Sequence, residues 1–501
     1  MRIVQSERQP LRVLSPPVSH HFSAADAKQL VDDGIAAPVS KQVLHQRPTR
    51  GVLKAFTVLE LAKQRRRAIH WPEEHNAALR GVYRAQLPQL QHSSNYLDIA
   101  REECGAVLDL KAGFYQIGID ESMRDLFRFR DNDGQLYEMT RLIMGGSPAV
   151  EIMQLVTSVV VGDPYVVRPQ YASPAKVHTY VDGACLYGDA QLVSDALLLA
   201  EQNAKYMGAT FKDFCLEPRK QFDFVGISFD LRHRDCAKHT VRVADNVITK
   251  LGSADAARLS SMTGREVEQL VGRLLFCAGV TQCPLVNHYF SMKWAKRVCN
   301  AMNTGRLEPH ATVTVPPSVV PDLQRWITEA RTEHVPRFVD ISSDSEMPVL
   351  FFDATLSNYG GVLVLPTNKI LITGATFDDG KNEIIAVREA QAGLFCLQDF
   401  REALAPYRCV DMRSDNTTVE YSLRRGCART DTLAKVVCDI LKLSVGLDIA
   451  IIISRVASVD NPADEPSRQL ELSMSKLQQQ LAIRVPLHQR RGAGRTYRVS
   501  F

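Results

Sequence analysis

The stretch Val349–Ala375, VLFFDATLSNYGGVLVLPTNKILITGA, decides the fold of the second half of the chain. It holds three apolar runs rich in β-branched residues, separated by polar and turn-forming residues, which predicts three consecutive strands. A helical pattern follows at Glu383 to Phe400, and a strand pattern follows at Cys409 to Arg413. After further helical patterns, Ile449 to Val456 is the last strand-like run. This order of elements predicts a mixed α/β domain.

Acidic residues stand at the ends of these elements. Asp353 and Asp415 each follow a predicted strand, Asp464 comes shortly after the last strand, and Glu389 lies on the predicted helix. Four carboxylates that converge at one sheet edge would hold two Mg²⁺ ions and orient a water against a phosphodiester. The alternative is that Asp415-Asn416 and Asp464 are helix N-caps and that Glu389 lies on a solvated helix face.

A second pair of acids lies in the first half of the chain. Asp109 ends an apolar run, and Asp182 lies in HTYVDGACLY (178–187), which predicts a hairpin with Asp182-Gly183 at its tip. If the two strands are neighbours, both carboxylates reach one cleft. They could then hold divalent ions that activate a 3′-hydroxyl and stabilise a leaving pyrophosphate. The alternative is that Asp109 caps a turn and that the hairpin tip has no chemical role.

Composition sets the outer limits. The 501 residues suggest about three domains. A hydrophobic content of 45% and a charged content of 23% are ordinary for a globular chain, and the 28 glycines and 24 prolines are too few for a collagenous or globally disordered one. No apolar run is long enough for a membrane span. The net charge of +4 permits a polyanionic partner. The eleven cysteines form no C-x-x-C pair and follow no secretory leader, so we expect free thiols and an intracellular location, in the nucleus or the cytoplasm.

Five ordered stretches resemble motifs of retrotransposon reverse transcriptases. LDLKAGFYQIGIDESMRDLFRF (108–129), which contains Asp109, resembles the first catalytic motif. The other four are KQRRR (63–67), similar to the basic fingers strand, LIMGGSPAVEIMQ (142–154), similar to the motif that packs template and nucleotide, TYVDG (179–183), similar to the Y-x-D-D hairpin, and FDFVGISFDL (222–231), similar to the primer grip.

This resemblance implies a palm and fingers fold with Asp109 and Asp182 as catalytic metal ligands. The resemblance also implies that Phe114 and the arginines of KQRRR bind the nucleotide. The alternatives are that Phe114 is an ordinary core residue and that these arginines form a solvated basic strand. The family's second hairpin aspartate is Gly183 here, and glycine would suit a turn that needs a positive φ. Met144 replaces a usual aromatic. The other implied roles are nucleotide binding by Lys63, Arg65, Arg66, Arg67, Phe114 (beneath the sugar) and Gly145, and primer gripping by Phe224 and Gly226.

The second half resembles the ribonuclease H domain of retroelements. The matching stretches are FFDAT (351–355), IIAVREAQA (384–392), RSDNTTV (413–419) and NPADEPSR (461–468). The resemblance implies that the catalytic metal ligands are Asp353, Glu389, Asp415 and Asp464, all of which are present. No histidine stands just before Asp464, where some members have one. SDNTTVEYSLRRG together with VDNPADEPSR is most similar to the DIRS-like tyrosine-recombinase retroelements, including the VIPER type.

We therefore predict a multidomain α+β and α/β fold: reverse-transcriptase palm and fingers, a helical thumb or connection, and a ribonuclease H-like α/β domain. The basic tail at Arg490 to Arg498 could touch nucleic acid, address the nucleus or be a disordered end. The predicted boundaries are 1–22 for an irregular arm, 23–235 for fingers and palm, 236–345 for the helical part, 346–468 for the nuclease and 469–501 for the tail.

The predicted function is an RNA-directed DNA polymerase with ribonuclease H activity. Its cofactor would be Mg²⁺, with Mn²⁺ as an alternative ion, and its partners an RNA template, a DNA primer, the RNA–DNA hybrid and dNTPs. One alternative is a degenerate copy in which only the nuclease works. The other is a non-catalytic nucleic-acid-binding scaffold. Gly183 favours these alternatives, whereas the four intact nuclease acids count against the scaffold.

Overall fold

A computed structural model describes residues 22–60, 65–79, 93–212, 214, 217–336, 347–377, 383–426, 428 and 430–482. Three features of the sequence fall outside these ranges: Lys63, residues 1–21 of the N-terminal arm, and the basic tail at Arg490 to Arg498. The chain divides into two compact units, residues 1–241 and 242–501. Within the described ranges, every helix is too short or too polar to cross a bilayer.

The first unit contains four small sheets and six α-helices among its described residues. The strands, the last of which runs to Val243, are β1 (Ala36–Pro38), β2 (Lys54–Glu60), β3 (Arg65–Trp71), β4 (Cys104–Leu110), β5 (Arg128–Arg130), β6 (Leu136–Met139), β7 (Lys176–Tyr180), β8 (Gly183–Gly188), β9 (Phe211–Lys212), β10 (Gln221–Phe224), β11 (Ile227–Asp230) and β12 (Thr240–Val243). The helices are α1 (Ala24–Asp32), α2 (Lys41–Gln46), α3 (Glu73–Leu79), α4 (Gly113–Gln116), α5 (Ala149–Val161) and α6 (Ala190–Met207).

The sheet that carries the first pair of acids has the strand order β7-β8-β4-β9. Its apolar face packs on α5 and α6, where Leu108 and Leu186 of the sheet lie in one core cluster with Val193 and Leu197 of α6. Antiparallel backbone pairing makes β4 and β8 neighbours in this sheet. The strand register pairs Asp109 with Gly183.

The turn between β7 and β8 differs from the predicted one. Tyr180 pairs with Gly183, so the two turn residues are Val181 and Asp182. The positive φ of this turn, 55°, belongs to Val181. Gly183 is the first residue of β8 and has no positive φ, because it pairs on both sides with Tyr180 and Asp109. The prediction that Asp182-Gly183 forms the tip is therefore wrong, and the turn does not need a glycine.

The second unit contains a helical part followed by an α/β domain. Its strands are β13 (Ser261–Thr263), β14 (Thr312–Thr314), β15 (Val349–Ala354), β16 (Asn358–Val364), β17 (Ile370–Thr376), β18 (Cys409–Ser414) and β19 (Ala450–Arg455). Its helices are α7 (Asp245–Leu251), α8 (Ala256–Ser260), α9 (Gly264–Thr281), α10 (Tyr289–Asn303), α11 (Val320–Glu329), α12 (Ile385–Asp399), α13 (Arg401–Leu404), α14 (Thr417–Arg425), α15 (Asp431–Gly446), α16 (Asp464–Ser467) and α17 (Met474–Ala482).

The α/β domain is built on a five-stranded sheet in the order β17-β16-β15-β18-β19. β15 is antiparallel to β16 and parallel to β18, which is parallel to β19. Both faces of β15 are covered, since Leu350 and Phe352 pack in one core cluster and Phe351 packs in another. The predicted multidomain α+β and α/β class is confirmed, with a five-stranded mixed sheet in the second unit. Because β15 and β18 are parallel, their carboxyl ends meet at one edge of the sheet.

Candidate active sites

Three of the four acids that the sequence predicts as metal ligands of a nuclease meet at that edge. One carboxylate oxygen each of Asp353, Glu389 and Asp415 lies within 4.8 Å of the other two. Phe351 of β15 is level with Arg413 of β18, so Asp353 and Asp415 each follow two residues further along parallel strands. Helix α12, which packs on β15, supplies Glu389. The parallel pairing of β15 and β18 thus brings together residues that are far apart in the sequence.

Short polar side chains hold the carboxylates in place. The Asn416 amide donates a 3.0 Å hydrogen bond to Glu389, and the Ser414 hydroxyl lies 3.5 Å from the other Glu389 oxygen. The Ser467 hydroxyl donates a 2.6 Å hydrogen bond to Asp353. Both carboxylates are buried, with relative exposures of 8% for Asp353 and 7% for Glu389. Glu389 is therefore not on a solvated helix face.

The pKa values of two of these acids are raised. Burial raises the pKa of Asp353 to about 6, and repulsion from Asp415 and Asp464 adds to the shift. Burial likewise raises the pKa of Glu389 to about 7, with repulsion from Asp415 and Asp353. The hydrogen bonds from Ser467 and Asn416 act in the opposite direction, because they stabilise the ionised forms. Ionisation of Asp353 and Glu389 in the folded chain therefore costs free energy.

The donor set suits a hard divalent cation. Asp415 Oδ1 is buried and accepts no hydrogen bond from the described residues. Buried polar oxygens are normally satisfied, so an oxygen of this kind facing two other carboxylates has the character of a cation ligand. A bound cation would also offset the repulsion that raises the pKa values of Asp353 and Glu389.

Asp464 lies beside the three-acid cluster and is not a helix cap. It is the first residue of α16 and pairs with Arg468 at 2.8 Å. Its charge raises the pKa of Asp353. Ser467, one turn later, is hydrogen-bonded to Asp353. Helix α16 packs so closely on β16 that a Cβ added at Gly360 would lie 2.2 Å from the Ser467 nitrogen.

In the first unit, Asp109 lies on β4, and Asp182 lies in the turn that precedes the adjoining strand β8. The Leu110 nitrogen donates a 3.0 Å hydrogen bond to the Asp182 carbonyl, and Asp109 is exposed beside it. A Cβ added at Gly113 would lie 2.9 Å from the Asp182 Cβ, so this glycine permits a close approach of α4 to the turn. The two acids share one edge of the sheet, as the sequence predicts.

Gln154 fixes the turn that carries Asp182. Its side-chain oxygen accepts a 2.8 Å hydrogen bond from the Val181 nitrogen, and its amide donates a 3.0 Å bond to the Thr179 carbonyl. These two bonds support the positive φ of Val181, which costs a β-branched residue free energy. Gln154 is thus a positioning residue of this site.

Phe114 is a core residue in this structure. It is 6% exposed and packs in a cluster with Leu110, Ala149 and Met153. Gly145 has a φ of 87°, and its carbonyl accepts a 2.8 Å hydrogen bond from Asn76. Phe114 thus packs as the ordinary-core alternative describes, while Gly145 lies in a loop whose conformation favours glycine.

The basic strand β3 is tied to its surroundings. Arg66 donates hydrogen bonds to Asp26 at 2.9 Å and Thr57 at 3.0 Å. Arg67 reaches the sulfur of Met144 at 2.9 Å, and Arg65 is the first residue of the strand. Arg67 thus connects this strand to the loop that holds Gly145.

The candidate primer-grip segment is the β10–β11 hairpin. Its two turn residues, Val225 and Gly226, have φ values of 48° and 74°. Phe224 is buried and lies edge-on to the ring of Tyr96, with the centroids 5.5 Å apart. Phe224 therefore anchors the hairpin through its contact with Tyr96, and Val225 and Gly226 form the turn.

Sequence reasoning missed three side chains that position the acids. Asn416 was visible only as part of a cap, and it is indeed the N-cap of α14, whereas Asp415 is not. Ser467 and Gln154 gave no signal, since a lone serine or glutamine has no pattern. Only the fold places their polar atoms against Asp353 and Val181.

The chain is similar in structure to foamy viral protease-reverse transcriptases. A foamy viral protease-reverse transcriptase dRH in complex with double-stranded DNA has a TM-score of 0.48 and 13% identity, covering 88% of this chain and 71% of that one. The foamy viral protease-reverse transcriptase in complex with double-stranded DNA has a TM-score of 0.45 and 12% identity, and the match covers 89% of this chain and 86% of that one. The foamy viral protease-reverse transcriptase in complex with an RNA/DNA hybrid has a TM-score of 0.43 and 13% identity, and the match covers 88% of this chain and 55% of that one. No protein-family model and no curated protein matches the chain.

Proposed function

We propose that this chain is an RNA-directed DNA polymerase with ribonuclease H activity, encoded by a DIRS-like retroelement. The observation that carries the nuclease half is the cluster of Asp353, Glu389 and Asp415, of which the first two are buried and the third is half-buried. Three carboxylates with mutual oxygen distances within 4.8 Å are costly to bury together, and two of them have raised pKa values. A site that binds divalent cations accounts for this cost.

In the nuclease, Asp353, Glu389, Asp415 and Asp464 would hold Mg²⁺, with Mn²⁺ as an alternative ion. Two such cations would activate a water and stabilise the leaving oxygen of a phosphodiester. The chain itself supplies the orientation: Asn416 and Ser414 hold Glu389, and Ser467 holds Asp353. The substrate would be the RNA strand of an RNA–DNA hybrid, which 2′-hydroxyls and helix shape distinguish from DNA.

In the polymerase, Asp109 and Asp182 would bind the catalytic cations. The roles proposed for the other residues follow from the motif match: Lys63, Arg65, Arg66 and Arg67 for the triphosphate, Phe114 and Gly145 for the nucleotide, and Phe224 and Gly226 for the primer. Their substrates would be dNTPs, an RNA template and a DNA primer. Hybrid binding should weaken steeply with salt, because basic side chains would displace counterions from phosphates.

A second candidate is a copy in which only the nuclease works. The observation that favours it is Gly183, which takes the strand position opposite Asp109 and leaves the polymerase site one carboxylate short. A third candidate, a scaffold that binds nucleic acid without chemistry, would leave the buried acid cluster unexplained.

Two assays on the purified full chain separate these candidates, each run with Mg²⁺ and with Mn²⁺. Primer extension on an RNA template together with cleavage of an RNA–DNA hybrid supports the bifunctional enzyme. Cleavage without extension selects the nuclease-only copy. Hybrid binding with neither activity selects the scaffold and overturns the catalytic proposal.

A further inference from the structure

A second cluster of potential metal ligands lies in the helical part of the second unit. Cys283 follows α9, His288 immediately precedes α10, and Glu329 is the last residue of α11. Cys283 Sγ is 3.4 Å from His288 Nε2 and 3.1 Å from a Glu329 oxygen, which is itself 3.0 Å from His288 Nε2. Three ligand atoms of different chemistry thus form one small triangle, contributed by the ends of three helices.

The imidazole of His288 is held in one orientation. The ring is fully buried and stacks on Trp326 with the planes 2° apart and the centroids at 4.4 Å. Its Nδ1 faces Asp322 at 3.0 Å, which leaves Nε2 directed at Cys283 and Glu329. A carboxylate that binds the far nitrogen of a histidine is the usual outer partner of a metal-ligating imidazole.

We propose that Cys283, His288 and Glu329 form a zinc site separate from the acid cluster of the nuclease. A thiolate, an imidazole and a carboxylate together suit Zn²⁺ better than Mg²⁺, which takes oxygen ligands. Usual zinc bond lengths in a tetrahedron place such atoms about 3.4–3.6 Å apart. The observed separations of 3.0–3.4 Å need only a small outward shift of the side chains.

Charge and protons balance at this site. The Cys283 thiol donates a hydrogen bond to Glu329, and His288 Nε2 also faces that carboxylate. On metal binding the thiol proton and any proton on Nε2 are released to solvent, so that the thiolate and the neutral imidazole, which keeps its Nδ1 proton toward Asp322, each take one coordination position. Asp322 and Glu329 contribute two further negative charges, and Arg325 pairs with both. Three negative charges against Arg325 and one Zn²⁺ leave the site neutral. Glu329 is 35% exposed, so a water can reach the fourth position.

The location gives the site a consequence for the nuclease domain. Val286 and Tyr289, on either side of His288, belong to the same core cluster as Leu350 and Phe352 of β15. The Tyr289 hydroxyl also donates a 3.2 Å hydrogen bond to the Ala428 carbonyl. A metal that joins the ends of α9 and α11 to the start of α10 would therefore stabilise the contact between the helical part and the nuclease core.

Cobalt(II) is the probe that separates this site from the carboxylates, because only a thiolate ligand gives an intense sulfur-to-cobalt band in the near ultraviolet. We titrate Co²⁺ into the chelator-treated full chain in excess Mg²⁺. The expected result is one equivalent of Co²⁺ with this band, displaced by Zn²⁺, and a melting temperature raised by Zn²⁺. Cys283→Ala should abolish the band. Cys299→Ala, at a half-buried cysteine of α10, is the matched control and should keep it.

A wild-type chain without the band, or a Cys283→Ala variant that keeps it, overturns the proposal. If Cys283→Ala fails to fold, alkylation of the wild-type chain replaces it: Zn²⁺ should protect Cys283 at least about tenfold while the exposed Cys236 reacts unchanged. Equal alkylation with and without Zn²⁺ also overturns the proposal. Neither readout depends on nuclease or polymerase activity.

Discussion

The Asn416 side chain connects the start of a helix to a candidate metal ligand. Its side-chain oxygen accepts hydrogen bonds from the Thr418 and Val419 nitrogens and thereby caps α14. Its amide group donates a 3.0 Å hydrogen bond to the Glu389 carboxylate. The cap fixes the amide, so the amide can hold Glu389 in one position. Asn416 is therefore a positioning residue of the proposed nuclease.

Asn416→Asp keeps the cap, removes the amide donor and adds a negative charge beside Glu389. We expect the pKa of Glu389 to rise further above its present value of about 7. Hybrid cleavage at pH 7 should fall about 10–100-fold and recover as the pH rises. A pH–rate profile measures this. Asn416→Ser, which can cap but adds no charge, is the control; an unchanged profile in the Asp variant would contradict the assigned role.

Asp415→Asn should abolish hybrid cleavage, a loss of at least about a hundredfold, because it removes one ligand charge from the buried cluster. The melting temperature should not fall, since Asp415 Oδ1 accepts no hydrogen bond from the described residues. Asp448→Asn makes the same chemical change at an exposed aspartate paired with Arg408 and should leave cleavage intact. Cleavage by the Asp415 variant at the wild-type rate would exclude the nuclease assignment.

Gly183→Asp should raise primer extension by at least about tenfold, because it adds a carboxylate next to Asp109. The position accepts a side chain: an added Cβ would meet only the Tyr180 and Leu108 carbonyls, at 3.5 and 3.7 Å. Gly183→Asn has the same shape without the charge and should not raise extension. If the two variants behave alike, other changes disable the polymerase, and the nuclease-only copy becomes the better account.

Without bound metal, the proposed nuclease domain should lose stability as the pH rises. Asp353 and Glu389 have folded-state pKa values of about 6 and about 7, above their ordinary values near 4. Their contribution to stability is complete below about pH 4 and is lost as the pH rises to about 7, since ionisation costs more in the folded chain. The loss should be about 1–3 kcal/mol per carboxyl.

Denaturant unfolding without metal tests this pH dependence. Asp353→Asn should raise the free energy of unfolding at pH 8 and have little effect at pH 4, because asparagine carries no charge at either pH. Mg²⁺ should stabilise the wild-type chain at pH 8 more than at pH 5. Equal destabilisation by Asp353→Asn at both pH values would show that its burial is not costly.

Gly360→Ala should reduce both stability and hybrid cleavage. The new Cβ would lie 2.2 Å from the Ser467 nitrogen and 2.5 Å from the Pro466 carbonyl carbon, so backbone must shift. That shift moves α16, which carries Asp464 and Ser467, and should cost about 1–3 kcal/mol. Gly446→Ala, where an added Cβ meets nothing within 4 Å, is the control. Thermal melting and cleavage rates should separate the two variants.

The order of strands and helices around the nuclease acids could be predicted from sequence because its signals are local. Apolar runs of strand length mark β15 and β18, and Asp353 and Asp415 stand within or directly after these runs. The turn at Val181-Asp182 could not be predicted in the same way. A glycine usually marks the turn, but here the register is set by the pairing of Gly183 with Asp109, a residue 74 positions away.

The sequence by itself, through the resemblance of motifs that keep their order and spacing, predicted which acids belong together and that Gly183 replaces a family aspartate. Only the tertiary structure decided that the carboxylates of Asp353, Glu389 and Asp415 meet at one point and that the first two are buried there, because burial and repulsion arise from contacts between distant segments. The same holds for Cys283, His288 and Glu329, which three helix ends bring within bonding reach. Local residue preferences determine where elements begin and end, whereas the packing of those elements determines which side chains meet.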